Sequence, residues 1–225
     1  MPFAAVLFDC DGVLVDSEPI TLGVLRDVLE QRGWKMSQAE CDAHFLGRQV
    51  SDEAELIAER TGQPFTRQWL QDFWRRRDEA LSLHLQPIPG AEAAVDTLYR
   101  AYHGRIACAS GSDRGKLDLQ LRKTGLYRYF EGRIYSGYEV PHGKPAPDVY
   151  LAAAAGLGVD PRRCAVVEDT PTGASAGLAA GATVFGYCPG GPGHGSAAQL
   201  REAGVHHLFH DMERLPALLE AAATA

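Results

Sequence analysis

Two pairs of carboxylates lie far apart in the chain, each just past a short apolar run. Asp9 and Asp11 flank Cys10 in Phe8-Asp9-Cys10-Asp11-Gly12, and Glu168 and Asp169 stand side by side before Thr170. The runs read as buried strands, and in an open α/β sheet ligands bind beyond the carboxyl ends of the strands. Four carboxylates gathered there would repel one another strongly without a cation between them. A hard divalent ion such as Mg2+ answers that need, because it takes oxygen ligands and usually combines one or two carboxylates with waters and phosphate oxygens. Between the pairs the chain supplies Ser110-Gly111-Ser112 after another apolar run, and Lys144 in Gly143-Lys144-Pro145. A hydroxyl, free backbone amides and a fixed ammonium suit the equatorial oxygens of a transferring phosphoryl group. Singly, each feature is commonplace, since Asp-x-Asp also caps helices or faces turns and a lone lysine usually lies in solvent. Jointly, four ordered elements complementary to one phosphoryl group point to phosphoryl transfer.

The elements that must position these groups follow from hydrophobic patterning. Residues 4–8, 105–109, 164–167 and 182–187 are short apolar runs of strand length, with a weaker fifth at 133–135. Helical spacing over 91–101, 114–124, 147–155 and 172–180 alternates with them, which predicts a parallel, doubly wound α/β sheet. From about residue 17 to 85 the pattern is helical and rich in charge, with no strand in it. This predicts an inserted helical domain over 17–86, closed by Pro87-Ile88-Pro89-Gly90, with residues 1–16 and 87–225 forming the sheet domain. Trp69, Phe73 and Trp74 share a helical face and are expected in the core of the insert, in preference to a ligand box. Pro189-Gly190-Gly191-Pro192-Gly193-His194-Gly195 lacks the spacing of either common phosphate loop and is expected to be a mobile surface loop.

Composition narrows the partners. The chain has 225 residues, is 45% hydrophobic and carries a net charge of −7, so it can bury a core and has no overall basic footprint for nucleic acid or an anionic membrane. No apolar run reaches the roughly 20 residues of a membrane span, and the first apolar segment meets Asp9 and Asp11 too soon for a signal peptide. A cytoplasmic monomer acting on a small phosphorylated metabolite is expected. The five cysteines are scattered without a Cys-x-x-Cys pair, and read as small buried thiols in a reducing compartment.

Asp9-Cys10-Asp11-Gly12-Val13-Leu14-Val15-Asp16-Ser17, Ser110, Lys144 and Glu168-Asp169 resemble, in order, the four motifs of the haloacid dehalogenase superfamily. The insert that starts just after the first motif resembles the small helical cap of the subgroup containing beta-phosphoglucomutase and many sugar-phosphate phosphatases. The resemblance implies a Rossmann-like core and a Mg2+-dependent phosphatase. Asp9 would attack phosphorus to give an aspartyl-phosphate. Asp11 would protonate the leaving oxygen and then deprotonate the attacking water. Asp9, the backbone carbonyl of Asp11, and Asp169 would hold the ion, with Glu168 a direct or water-mediated partner. Lys144 would bind phosphate and soften repulsion at Asp9. An acid at position 11 separates the chain from the carbon-attacking dehalogenases.

The alternative within the subgroup is a phosphomutase. Beta-phosphoglucomutase has a gating histidine shortly after the first motif, where this chain reads Glu18-Pro19-Ile20-Thr21-Leu22, so a hydrolase is favoured. A non-enzymatic binding protein finds no support in the intact acids and lysine. Gly47 and Arg48, beside Gln49, lie where the subgroup places substrate-specifying groups, although Arg48 could equally be a solvated side chain. Ser136-Gly137-Tyr138-Glu139, Lys144-Pro145-Ala146-Pro147 and Gly186-Tyr187-Cys188 look most like phosphatases of 6-phosphogluconate and related phosphosugars. Closure of the cap is expected to turn on Ser17 and residues 85–90.

Overall fold

A computed structural model of the chain describes residues 3–191 and 193–222. Six strands form one parallel sheet: β1 (Ala5–Phe8), β2 (Ile106–Ser110), β3 (Ile134–Ser136), β4 (Cys164–Glu168), β5 (Thr183–Tyr187) and β6 (His207–Phe209), in the order β3-β2-β1-β4-β5-β6. β1 is central, and Phe8 pairs in register with Cys108 on one side and Val167 on the other. The residues after Phe8 therefore emerge between the ends of β2 and β4, where the direction of strand progression reverses.

Alternate residues of β1 face opposite ways, as a pleated strand requires. Val6 and Phe8 belong to one fully buried cluster and Ala5 and Leu7 to the other. Helices α5 (Ala91–Ala101), α6 (Arg114–Lys123), α7 (Tyr127–Phe130) and α11 (Leu215–Ala221) cover the first face. Helices α8 (Asp148–Gly156), α9 (Pro171–Ala179) and α10 (Ala197–Glu202) cover the second. With helices on both faces, strands as apolar as Ala-Val-Leu-Phe and Cys-Ala-Val-Val can be buried throughout. The architecture is the doubly wound α/β fold with a helical insert that the patterning predicts.

The insert comprises α1 (Glu18–Gln31), α2 (Gln38–Phe45), α3 (Ala54–Thr61) and α4 (Arg67–His84). Leu22, Leu25, Leu29, Phe45, Ile57, Trp69 and Phe73 make its own cluster. Trp69 and Phe73 are buried there as expected, stacked with centroids 6.0 Å apart. Trp74 differs: it is half-buried, lines the pocket between insert and sheet, and meets Tyr138 edge-on at 6.0 Å. Its position next to Phe73 rotates it off the buried face, about 100° around the helix. The last turn of α4 leaves the insert's core, since Leu81 packs with the sheet's cluster.

Chain enters and leaves the insert through two stretches that pair with each other. Asp16 N donates to Gln86 O at 3.0 Å and Ile88 N to Leu14 O at 3.1 Å. All five cysteines are buried and free. Among the described residues, no helix is long and apolar enough to cross a membrane. β6 had no counterpart in the sequence reading, because a three-residue edge strand reading His-Leu-Phe after His206 shows neither an apolar run nor alternation.

Candidate active site

Asp9, Ser110 and Glu168 stand at or just past the ends of three adjacent strands, so the sheet alone brings three of the four sequence elements together. Lys144, in the loop between β3 and α8, completes the set. Its Nζ lies 2.7 Å from Asp9 Oδ1, 2.6 Å from Glu168 Oε1 and 2.9 Å from the Tyr150 hydroxyl. Burial works against the ammonium, but Asp9, Glu168 and Tyr150 outweigh it and hold Lys144 charged, well above its ordinary range. Asp9 is pushed up to about 7 by burial, with Lys144 opposing and Glu168 and Asp11 adding to the rise.

Asp11 is a different kind of carboxylate. Lys116 Nζ lies 2.7 Å from its Oδ1, Gln120 Nε2 donates to the same oxygen at 2.7 Å, Ser112 Oγ donates to Oδ2 at 2.6 Å, and Ser17 Oγ also donates to Oδ1. Burial alone would raise its pKa, but Lys116 and these hydroxyls prevail and hold it well below the usual carboxylate range. Lys116 and Gln120 escaped the sequence reading. They stand four apart on α6, the helix that follows Ser110, so both lie on one face of it, and that spacing was the available signal.

Asp9, Glu168 and Asp169 offer carboxylate oxygens within 4.8 Å of one another. Asp169 is fully buried, and neither of its oxygens has a hydrogen-bond partner among the described residues. An unpartnered buried carboxylate is costly unless a cation binds it. The donor set, all oxygen and acidic, fits a hard divalent ion. Glu168, by contrast, is saturated: Oε1 takes Lys144 and Tyr150, and Oε2 takes Asp169 N, Thr170 N and the Thr170 hydroxyl. The side chain of Asp11 stands outside the trio.

Glycine permits two close approaches here. Gly12 has φ +72°, and a Cβ on it would land on Asp169 Oδ2. In α9, a Cβ on Gly173 would land on the Glu168 carboxylate. Gly173→Ala is expected to cost about 1–3 kcal/mol of stability by overpacking and to lower activity by shifting Glu168 off Lys144. Denaturant unfolding beside an activity assay checks this; wild-type stability would count against the packing argument.

The remaining sequence candidates fall around one pocket between insert and sheet. Ser110 Oγ accepts from Ser112 N at 3.2 Å, and Gly111 and Ser112 line the cavity. Gly47, at φ +71°, brings the insert's loop against Thr170, where a Cβ would come within 3.1 Å of Thr170 Cγ2. Arg48 lines the pocket, but its side chain is 55% exposed and pairs with Glu53 at 2.8 Å. Arg77 of α4 was not foreseen: it is buried and spans from insert to sheet domain, 2.9 Å from Asp113 and 2.8 Å from Asp78.

The glycine-rich loop after β5 departs from the surface expectation in its second half. Pro189, Gly190 and Gly191 are exposed, whereas Gly193 and Gly195 are buried, and Pro192 lies outside the described residues. Gly195 N donates to Asp169 O at 2.9 Å, and His194 Nε2 lies 3.1 Å from Gly12 O. The loop braces the first motif, which its composition alone did not reveal.

The doubly wound sheet gathers acids and a lysine at its strand ends, next to a helical insert. The chain belongs to the haloacid dehalogenase-like hydrolases, whose family model matches residues 3–181, and within that family it is a phosphoric monoester hydrolase. It is 28% identical over 185 residues to the 6-phosphogluconate phosphatase of Escherichia coli K12, covering 82% of each chain. It is 29% identical over 187 residues to a phosphorylated carbohydrates phosphatase of Thermotoga maritima, covering 79% of this chain and 81% of that one. A solved HAD family hydrolase from Deinococcus radiodurans R1, with bound phosphate and sodium, superposes with a TM-score of 0.77 at 37% identity, over 99% of this chain and 97% of the other.

Proposed function

We propose that this protein is a Mg2+-dependent phosphatase of small phosphosugars or phosphosugar acids such as 6-phosphogluconate, working through an aspartyl-phosphate on Asp9. The observation that carries the reading is the buried carboxylate of Asp169, which has no hydrogen-bond partner among the described residues and lies beside Asp9, with Lys144 already seated on Asp9. Asp9 and Asp169, with the backbone carbonyl of Asp11, would hold the ion; once bound, it offsets the crowded negative charge and the charge of the phosphoryl oxygens. Glu168, with no acceptor capacity left, serves by fixing Lys144 and the turn at Thr170.

In this reading a carboxylate oxygen of Asp9 bonds to phosphorus as the bond from phosphorus to the sugar oxygen breaks. Asp11 delivers a proton to that departing oxygen. Water then attacks the aspartyl-phosphate, Asp11 takes the water's proton, and phosphate leaves with Asp9 restored. Splitting one displacement into two, with acid help for a poor leaving group, is what this pair of carboxylates provides. Four donors hold Asp11 as an ion here, so it takes up its proton only when some of them let go. One of the four, Ser17, lies where the insert begins, so movement of the insert and protonation of Asp11 are coupled.

Names of the relatives support carbohydrate phosphates as the substrate class. The test is phosphate release with Mg2+ across phosphosugars, phosphosugar acids, phosphoglycolate and beta-glucose 1-phosphate, with glucose 6-phosphate followed in parallel. Release from the sugar-acid or sugar class, abolished by a chelator, is expected. Conversion of beta-glucose 1-phosphate to glucose 6-phosphate without release would replace the hydrolase by a mutase.

A further inference from the structure

Two polar side chains on α1 line the pocket, and neither makes a hydrogen bond among the described residues. Thr21 is 8% exposed, and its Oγ1 is buried without a hydrogen bond among the described residues. Glu18 stands one turn earlier, and no hydrogen bond among the described residues reaches its carboxyl. Three residues apart, the two lie on one face of the helix. Both line the cavity that also holds Asp9, Asp11 and Lys144. Buried polar groups are paired with few exceptions, and an exception that faces a cavity calls for a ligand to satisfy it.

We infer that Glu18 and Thr21 form a hydroxyl-binding subsite that recognises the carbons beyond the phosphorylated one, taking a polyol chain or sugar ring with neighbouring hydroxyl groups. Leu22 and Phe73 give the same pocket an apolar wall, against which the carbon skeleton can lie. Burial raises the Glu18 carboxyl to about 8, with Lys116 opposing and Asp11, Asp9 and Asp42 reinforcing. A protonated carboxyl and a threonine hydroxyl each donate and accept, which is the pattern that two adjacent alcohols present in return. Arg48 and Arg77 also line the pocket and could take a carboxylate or second phosphate.

The inference rests on the phosphosugar reading, and its test separates the two. Thr21→Val and Glu18→Gln each keep the shape and remove or alter one polar group. Both variants and the wild type are titrated calorimetrically with the phosphosugar that binds best in the panel and with inorganic phosphate. The kcat/KM values are then compared for that phosphosugar and for p-nitrophenyl phosphate, which carries no hydroxyl chain. Each variant is expected to weaken phosphosugar binding on the order of tenfold more than phosphate binding, and to lower the ratio of the two kcat/KM values similarly. Thr21→Ser, which retains the hydroxyl, is expected to recover most of the loss, and it keeps the test open should the valine variant fold poorly. Equal losses on both probes, no losses, or a wild type that binds no phosphosugar more tightly than phosphate would overturn the subsite. Failure of the phosphatase reading is distinct: no phosphate is released, yet the calorimetric difference between wild type and variants persists.

Discussion

Asp9→Asn is expected to lower phosphate release by about 10⁴-fold or more while the protein stays folded, the scale seen when a covalent nucleophile is removed. Asparagine has almost the same volume, so the end of β1 keeps its packing. Its amide oxygen can still accept from Lys144, which retains Glu168 and Tyr150 as partners. The exchange also removes one charge from a crowded group of acids, so the folded state should gain stability if it changes at all. Phosphate release and a thermal melt on the same preparation check both halves. Activity within tenfold of wild type, in a folded protein, would remove Asp9 from the nucleophile's role.

Magnesium is expected to raise the melting temperature at neutral pH by about 5–10 °C at a hundredfold excess over its Kd. Such an excess contributes about 2.7 kcal/mol, and each kcal/mol moves a chain of this size by about 2–4 °C. The pH dependence fixes the sign. Without the ion, Asp9 is raised from an ordinary 3.8 to about 7, and burial, Glu168 and Asp9 carry Asp169 well above its usual range. Between about pH 4 and 7 these folded carboxyls keep protons that the unfolded chain has released, so stability falls as pH rises through that window. The metal-free protein should therefore melt higher at pH 5 than at pH 7.5. Magnesium should restore more at the higher pH, where it has fewer protons to displace. Asp169→Asn should abolish most of the magnesium-dependent part. A melting temperature indifferent to magnesium at neutral pH would mean that Asp9 and Asp169 do not hold the ion.

What could be read from the sequence was whatever a short run of residues encodes. Four strands were legible as short apolar runs, because burial on both faces favours apolar side chains, as in Ala5–Phe8 and residues 164–167, and a fifth was legible more weakly at 133–135. Asp9, Ser110, Lys144 and Glu168 were legible because each follows such a run or sits in a marked turn. The residues that tune them were not: Lys116, Gln120 and Tyr150 are helix positions whose side chains reach the site only after α6 and α8 have folded onto the sheet. Position 116 reads as an ordinary helix lysine until its distance to Asp11 is known. Arg77 escaped, and Trp74 was placed in the insert's core, for the converse reason, since one turn of α4 serves both the insert's interior and the pocket. The loop ending at Gly195 was misjudged because glycine and proline disclose a turn but not what the turn leans on.

Because Leu14 and Asp16 are hydrogen-bonded directly to Ile88 and Gln86, the helical module is attached like a plug with two pins held side by side. Whatever lies between the pins must only begin and end close together, and its length and internal packing are free to change. A foreign helical module spliced between the same two stretches should thus fold onto an undisturbed sheet, bringing a new choice of substrate to an unchanged set of reacting groups. The one debt such a graft inherits is Ser17, whose hydroxyl belongs to the module's first turn and whose hydrogen bond belongs to Asp11.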